Sequence, residues 1–230
     1  RDSVTADGSG KFPALAGRYQ LLTAVNCPWA HRTVIARRLK GLEGAIDLLV
    51  SSDPQTDQGW PFNVGVGKGP QPRDGVLHLH EIYTAADPTY SGRVTVPTLW
   101  DRELRTIVNN ESADILGMLN TQFSSVANSS FDLRPQALRE RIDEVNEWVY
   151  RDINNGVYRC GFSQTQAAYE QACRALFDAL DRAEAVLGRS RFLAGPALTE
   201  ADVRLFPTLV RFDAVYYGLF KCNMRRLQDY

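Results

Sequence analysis

The sequence predicts an α/β N-terminal half joined to an all-helical C-terminal half, and three observations carry that reading. Residues 19 to 50 alternate short apolar runs with a helical segment, the texture of a β-α-β unit. From about Arg134 onward apolar residues recur every three or four positions, the period of helices with one buried face. The chain has 230 residues, 44% apolar and 23% charged, enough for one large or two small domains with a real core.

Tyr19 to Val25 (YQLLTAV) reads as a short buried strand, and it leads through Asn26 and Cys27 into Pro28, a residue suited to the first turn of a helix. That helix runs to about Lys40 and is stopped by Gly41, after which AIDLLV at 45 to 50 forms a second strand. Residues 51 to 75, rich in Ser, Asp, Gln, Gly and Pro and including GVGKG at 65 to 69, read as a long surface loop. The loop is taken to extend over 51–90, with His78 and His80 alternating on a solvated face. Val96 to Trp100 and Thr106 to Val108 then form two strands around the polar turn Asp101 to Arg105, and Asn110 leads into a helix at Glu111.

In the second half, Leu138, Ile142, Val145, Val149 and Ile153 fall on one face of a long helix. Tyr169, Cys173, Leu176, Leu180, Ala183 and Leu187 repeat the spacing up to Gly188. Thr199-Glu200-Ala201-Asp202 has the form of a capping box, opening a helix whose body, VRLFPTLVRF, is apolar on almost every side and bent at Pro207. The change of texture near residues 122 to 134 divides the chain into domains 1–124 and 125–230.

Several classes of function are excluded by composition. A net charge of -1 provides no field for nucleic acid or an anionic membrane surface. No window approaches the roughly 20 apolar residues of a membrane span, so neither partner is expected. Four cysteines without a CxxC pair and three histidines supply neither a disulfide framework nor a metal centre of the Cys/His type, and they suit a reducing, cytoplasmic location. GVGKG lacks the spacing, and the Ser or Thr after Lys, of a phosphate loop.

The chemistry concentrates at Cys27-Pro28-Trp29-Ala30. A thiol where a strand feeds a helix meets unpaired amides and the positive end of the helix dipole, which lower a cysteine pKa from about 8.5 into the range of roughly 3.5 to 7.5. Cys27 is therefore the candidate nucleophile. Ala30 stands where a resolving cysteine would, so an external thiol must regenerate Cys27. Cys160, Cys173 and Cys222 read as inert packing cysteines.

NCPWAHRT at 26–33, GRVTVPTLWD at 92–101, NNESADI at 109–115, NNGVYRCGF at 154–162 and LTEADVRLFPTLVRFDAVY at 198–216 resemble the glutathionyl-hydroquinone reductases, the xi class of glutathione transferases. The resemblance implies a thioredoxin-like N-terminal domain and an all-α C-terminal domain, the glutathione transferase fold, with glutathione as cosubstrate and no metal. The resemblance also assigns further site residues. Glu111 and Ser112 would bind the γ-glutamyl end of glutathione, and Pro97 would be cis, exposing the Val96 backbone to its cysteinyl part. Arg93 would pair with a ligand carboxylate, Trp60 would cover the tripeptide, and Tyr158 would donate a proton or hydrogen bond to the departing aromatic product. Apart from the resemblance, His31 and Arg32 fall in the first turn of the thiol's helix with no sequence feature aiming either at the sulfur, and are expected to support the domain interface. The family forms homodimers through its helical domain. It also continues beyond the segment matching FKCN at 220–223, so the helical domain is expected to be incomplete.

The activity implied is glutathione-dependent reduction of S-glutathionyl-hydroquinones, quinone-derived aromatic conjugates, through a Cys27-glutathione mixed disulfide. Two alternatives share parts of the pattern: an omega-like thioltransferase or dehydroascorbate reductase, and a non-catalytic transferase-like interaction module. An activated Cys27 argues against the module, and an aromatic pocket with Tyr158 separates the hydroquinone reductase from the omega-like alternative.

Overall fold

The structure, a computed structural model, describes residues 1–51, 55–62 and 76–230, and it divides into two compact units, Arg1–Phe131 and Asp132–Tyr230. The GVGKG stretch lies outside the described residues. Among those described, no helix is long and apolar enough to cross a membrane.

The first unit is built on a four-stranded sheet ordered, from one edge to the other, Ile46–Ser51 (β4), Tyr19–Ala24 (β3), Thr98–Asp101 (β5) and Thr106–Asn109 (β6). β3 (Tyr19–Ala24) is buried at every position and pairs in parallel with β4 (Ile46–Ser51) through the helix α1 (Pro28–Leu39), the expected β-α-β unit. β5 (Thr98–Asp101) runs antiparallel to β3, and β6 (Thr106–Asn109) antiparallel to β5. The second half of the sheet is thus a hairpin followed by α3 (Ser112–Thr121), completing the β-α-β, β-β-α order of a thioredoxin-like domain. Two further short strands, β1 (Val4–Thr5) and β2 (Phe12–Pro13), pair in parallel near the N-terminus.

The polar turn between β5 and β6 is held from inside. Asp101 is fully buried, and its Oδ2 accepts from Arg18 Nε at 2.8 Å and Nη2 at 2.6 Å. Its Oδ1 accepts the Glu103 and Leu104 backbone N–H groups at 2.9 and 3.0 Å, so a charge that burial would otherwise penalise is satisfied on both oxygens. Arg37, also buried, donates from Nε to the Ile46 carbonyl at 2.7 Å and fastens α1 to β4.

One stretch differs from the sequence reading. Within the span taken as loop, Leu79–Ala86 forms a helix, α2, whose Leu79, Ile82 and Tyr83 are buried. His78 is its N-cap and shares a capping box with Glu81, so His78 and His80 do not form a solvated face but are half-buried and stacked on each other. The run is only eight residues long and follows a polar stretch, too little for its helical period to stand out.

The second unit is helical. α4 (Arg139–Trp148) buries Ile142 and Val145, but the single long helix expected through Ile153 is interrupted by a π-helical segment at Val149–Asn154. There the Asn155 N–H reaches back five residues to the Tyr150 carbonyl, and Asn154 Nδ2 bonds across to Thr208 Oγ1 at 2.9 Å and the Arg204 carbonyl at 3.1 Å. The extra residue aims Asn154 inward, a role periodicity does not reveal. α5 (Gly156–Gly161) and α6 (Gln166–Leu187) follow, and α7 (Glu200–Arg211) begins at the expected Thr199–Asp202 capping box and continues through Pro207. The core gathers Val145, Trp148, Val149, Ile153, Leu176, Leu180, Leu205 and Phe212.

Candidate functional site

The thiol sits at the first turn after β3. The Cys27 N–H bonds to the Ala24 carbonyl at 3.2 Å, Cys27 takes extended backbone as the N-cap of α1, and Pro28 occupies the first helical turn, where a missing N–H costs nothing. The sulfur accepts the Ala30 N–H at 3.4 Å, and its S–H donates to the Val96 carbonyl at 3.5 Å. These contacts oppose each other chemically: the amide and the helix dipole are the partners a thiolate needs, and the carbonyl is the partner a neutral thiol needs. Beneath, Trp29 stacks on the Arg32 guanidinium at 4.7 Å, and Arg32 is buried.

The Val96–Pro97 peptide is cis, and both residues are buried. Val96 belongs to an apolar cluster with Leu22, Ala30, Leu49, Ile82 and Trp100, against which Cys27 and Trp60 both pack half-buried. Trp60 is placed by backbone pairing. Thr56 and Gly59 exchange N–H···O bonds of 3.0 Å around a tight turn, with Gly59 at φ +81°, a conformation that favours glycine. The Trp60 carbonyl then accepts the Leu79 N–H at 3.0 Å, and Pro61 pairs with His78.

Glu111 is the N-cap of α3, and its Oε1 accepts the Ala113 N–H at 3.3 Å and the hydroxyl of buried Ser112 at 3.5 Å. Its other oxygen pairs with Arg1 at 3.6 Å. Glu111 therefore satisfies part of its own helix end, leaving the charge of its half-exposed carboxylate toward solvent. Arg93 is exposed, with its carbonyl held by the Tyr90 hydroxyl at 2.7 Å.

A linking residue escaped the sequence reading. The Tyr83 hydroxyl donates to the Thr95 carbonyl at 2.9 Å and accepts from Asn110 Nδ2 at 3.1 Å, tying the residue before Val96 to the residue before Glu111. Tyr83 lies four positions after Leu79, the only signal that could have placed it on the inner face of α2. Cys27, Trp60, Val96, Glu111 and Ser112 thus hang on one connected framework within the first unit.

Tyr158 belongs to the second unit, half-buried on α5 and packed edge-on against Phe220 at 5.5 Å and Tyr216 at 6.0 Å. Gly161 makes this possible, since a Cβ there would lie 2.3 Å from the Phe220 ring. Tyr158, Tyr150 and Phe162 line a cavity of ≈ 1340 Å³ within that unit. The remaining cysteines gather nearby in its core. The Cys222 S–H reaches the Val157 and Phe220 carbonyls at 3.8 and 3.7 Å and the Cys173 S–H the Tyr169 hydroxyl at 3.8 Å, while the neighbouring Cys222 holds the Cys160 thiol below its ordinary value. Hydrogen bonding to Cys160, and then burial, pushes the Cys222 thiol above its ordinary value, and burial raises Cys173.

The family model of the glutathione S-transferase N-terminal domain matches residues 26–122, and that of the C-terminal domain matches residues 166–230. The glutathionyl-hydroquinone reductase PcpF of Sphingobium chlorophenolicum is 50% identical over 219 residues, 95% of this chain and 70% of its own. The glutathionyl-hydroquinone reductase YqjG of Escherichia coli is 46% identical over all of this chain and 72% of its own. The glutathione-bound structure of YqjG superposes with a TM-score of 0.95 at 47% identity, covering 100% of this chain and 77% of that one. A xi-class glutathione transferase from Natrialba magadii superposes with a TM-score of 0.96 at 43% identity, covering 100% and 72%. With a thioredoxin-like unit carrying a helix-capping thiol, a helical unit, and relatives of this closeness, the chain belongs to the glutathione transferase family, in the xi class of glutathionyl-hydroquinone reductases.

Proposed function

We propose that this chain reduces S-glutathionyl-hydroquinones to hydroquinones with glutathione as cosubstrate, and that Cys27 carries the reaction. The observation behind this reading is a half-exposed thiol at a helix N-terminus with an N–H aimed at its sulfur and Ala30 in place of a resolving thiol. The shared class with two named reductases supports the choice of substrate.

The cycle balances without a metal. The Cys27 thiolate attacks the glutathione sulfur of the conjugate, forming the Cys27–glutathione disulfide while the aryl carbon–sulfur bond breaks with its electron pair toward the ring. The ring carbon takes a proton, for which Tyr158 is the donor carried by the NNGVYRCGF resemblance, and the hydroquinone leaves. A second glutathione attacks the mixed disulfide, releasing glutathione disulfide and restoring the thiolate. Glutathione is positioned by Glu111 and Ser112 at its γ-glutamyl end, by Val96 along its cysteinyl backbone, by Arg93 at a carboxylate and by Trp60 over its length. A ligand N–H that takes the Val96 carbonyl removes the acceptor that now holds the Cys27 proton, so binding itself favours the thiolate. The protein acts as a homodimer through its helical unit, where exposed Phe206, Val210 and Leu219 support an apolar contact, and in the cytoplasm, where four free thiols are expected to persist.

Mass spectrometry of the protein mixed with the menadione–glutathione conjugate, with hydroquinone release followed in parallel, tests the cycle. A glutathione adduct on Cys27, released hydroquinone and turnover on added glutathione are expected. An adduct formed only from glutathione disulfide, with the conjugate untouched, would replace this reading by a thioltransferase.

A further inference from the structure

The segment entering α2 carries a cluster of ligating side chains that the thiol chemistry does not use. His78, His80 and Glu81 each place one donor atom so that all three lie within 4.8 Å of one another. The imidazoles stack with centroids 5.7 Å apart and planes inclined by 16°, and Glu81 Oε1 stands 3.5 Å from His78 Nδ1. The set is anchored by backbone. Glu81 Oε1 accepts the His78 N–H at 3.0 Å, which orients the carboxylate beside the His78 imidazole, and His78 is itself fixed by its bridge to Pro61.

We propose that His78, His80 and Glu81 form a binding site for a divalent transition-metal ion of the zinc type, with water as the fourth ligand. Two imidazole nitrogens and one carboxylate oxygen suit Zn²⁺, Cu²⁺ or Ni²⁺ rather than Ca²⁺ or Mg²⁺, which take all-oxygen shells. Zinc bonds of about 2.0–2.1 Å at tetrahedral angles put ligand atoms about 3.3 Å apart. The three donors must therefore close by about 1.5 Å at most, a movement that side-chain rotation supplies without shifting the backbone. The three side chains are half-buried, accessible to an ion yet partly shielded from water.

Two effects keep the site weaker than a structural zinc centre. The N-terminus of α2 presents a positive dipole end, which the Glu81 charge offsets. The His78 side chain also caps the Glu81 N–H, an interaction that a bound ion disturbs. Because Leu79 donates to the Trp60 carbonyl, an ion at this point braces the Trp60 backbone as well. Binding does not depend on the reductase reading, and that reading stands or falls separately on the Cys27 adduct.

Isothermal titration of the whole chain with Zn²⁺, in wild type and in Cys27→Ser to remove the competing thiol, tests the site. One ion per chain is expected in both, with affinity at least about tenfold lower in His80→Ala and in Glu81→Gln. Thermal melting confirms that each variant is folded, and two independent variants keep the test open if one is not. Co²⁺ loaded in place of zinc should show the visible bands of a four-coordinate nitrogen and oxygen site. Absence of binding, an affinity unchanged in both variants, or a thiolate-to-cobalt charge-transfer band would overturn the proposal.

Discussion

Cys27 in the first unit and the trio Cys160, Cys173 and Cys222 in the second are the same functional group in opposite surroundings. Cys27 is half-exposed at a helix N-terminus with an amide aimed at its sulfur. The other three are at most 3% exposed: Cys173 and Cys222 are pushed up and keep their protons inside the core, while Cys160, which the neighbouring Cys222 holds below its ordinary value, is shielded by burial alone. Position in the backbone, more than residue type, separates a nucleophile from packing material.

The largest way to break that contrast is to remove the exposed thiol. Cys27→Ser should lower the rate of hydroquinone release by at least about a thousandfold and abolish the glutathione adduct, while Cys160→Ala should leave both within a few-fold. Iodoacetamide under native conditions should label Cys27 alone, read by peptide mass spectrometry, and all four cysteines after unfolding. Loss of activity in Cys160→Ala with an intact fold would move the chemistry into the second unit.

A smaller effect is expected at Tyr158, which stands two residues from Cys160 on the same short helix. Tyr158→Phe keeps the ring packing on Phe220 and removes only the hydroxyl, so kcat should fall by about a hundredfold with the melting temperature nearly unchanged. Steady-state kinetics with the menadione conjugate measures it; an unchanged kcat would assign the proton to another donor.

The helical unit also offers a purely structural test. Asp202 accepts from the Thr199 N–H at 2.9 Å, the Thr199 hydroxyl at 3.0 Å and the Leu193 N–H at 2.8 Å. Asp202→Ala should therefore cost about 1–2 kcal/mol of stability, measured by urea unfolding, with Cys27 labelling in the native state unaffected.

What was legible in the sequence follows local rules. The strand before Cys27, the Pro28 helix start, the Thr199–Asp202 box and the buried stripe of α4 each depend on residues within a few positions of one another. What was not legible depends on distant partners. The π-helical segment exists with Asn154 bonded to Thr208, α2 was hidden by its brevity, and the Tyr83 hydroxyl gains its meaning only when Thr95 and Asn110 arrive beside it. The gathering of three cysteines from α5, α6 and the C-terminal segment is likewise invisible to spacing.

The finest comparison between the units uses a tyrosine from each. Tyr19, on β3, and Tyr169, on α6, are both pushed up to about 12, burial being the largest cause in each. Their hydroxyls donate to the Pro13 and Lys221 carbonyls at 2.7 Å, bonds that exist only while the proton does. In the unfolded chain both ionise near 10. Their contribution to stability is therefore complete below pH 10 and is lost as the pH rises toward 12, because the unfolded state sheds its protons first. Urea unfolding at stepped alkaline pH should show this decline, and it should be shallower in Tyr19→Phe and in Tyr169→Phe. Tyr169→Phe should also loosen the Lys221 to Asn223 segment and make Cys222 label faster. A decline equally steep in both variants would place the alkaline sensitivity elsewhere, and labelling of Cys222 that stays at the wild-type rate would show that the core, without the Tyr169 bond, suffices to shield the thiols.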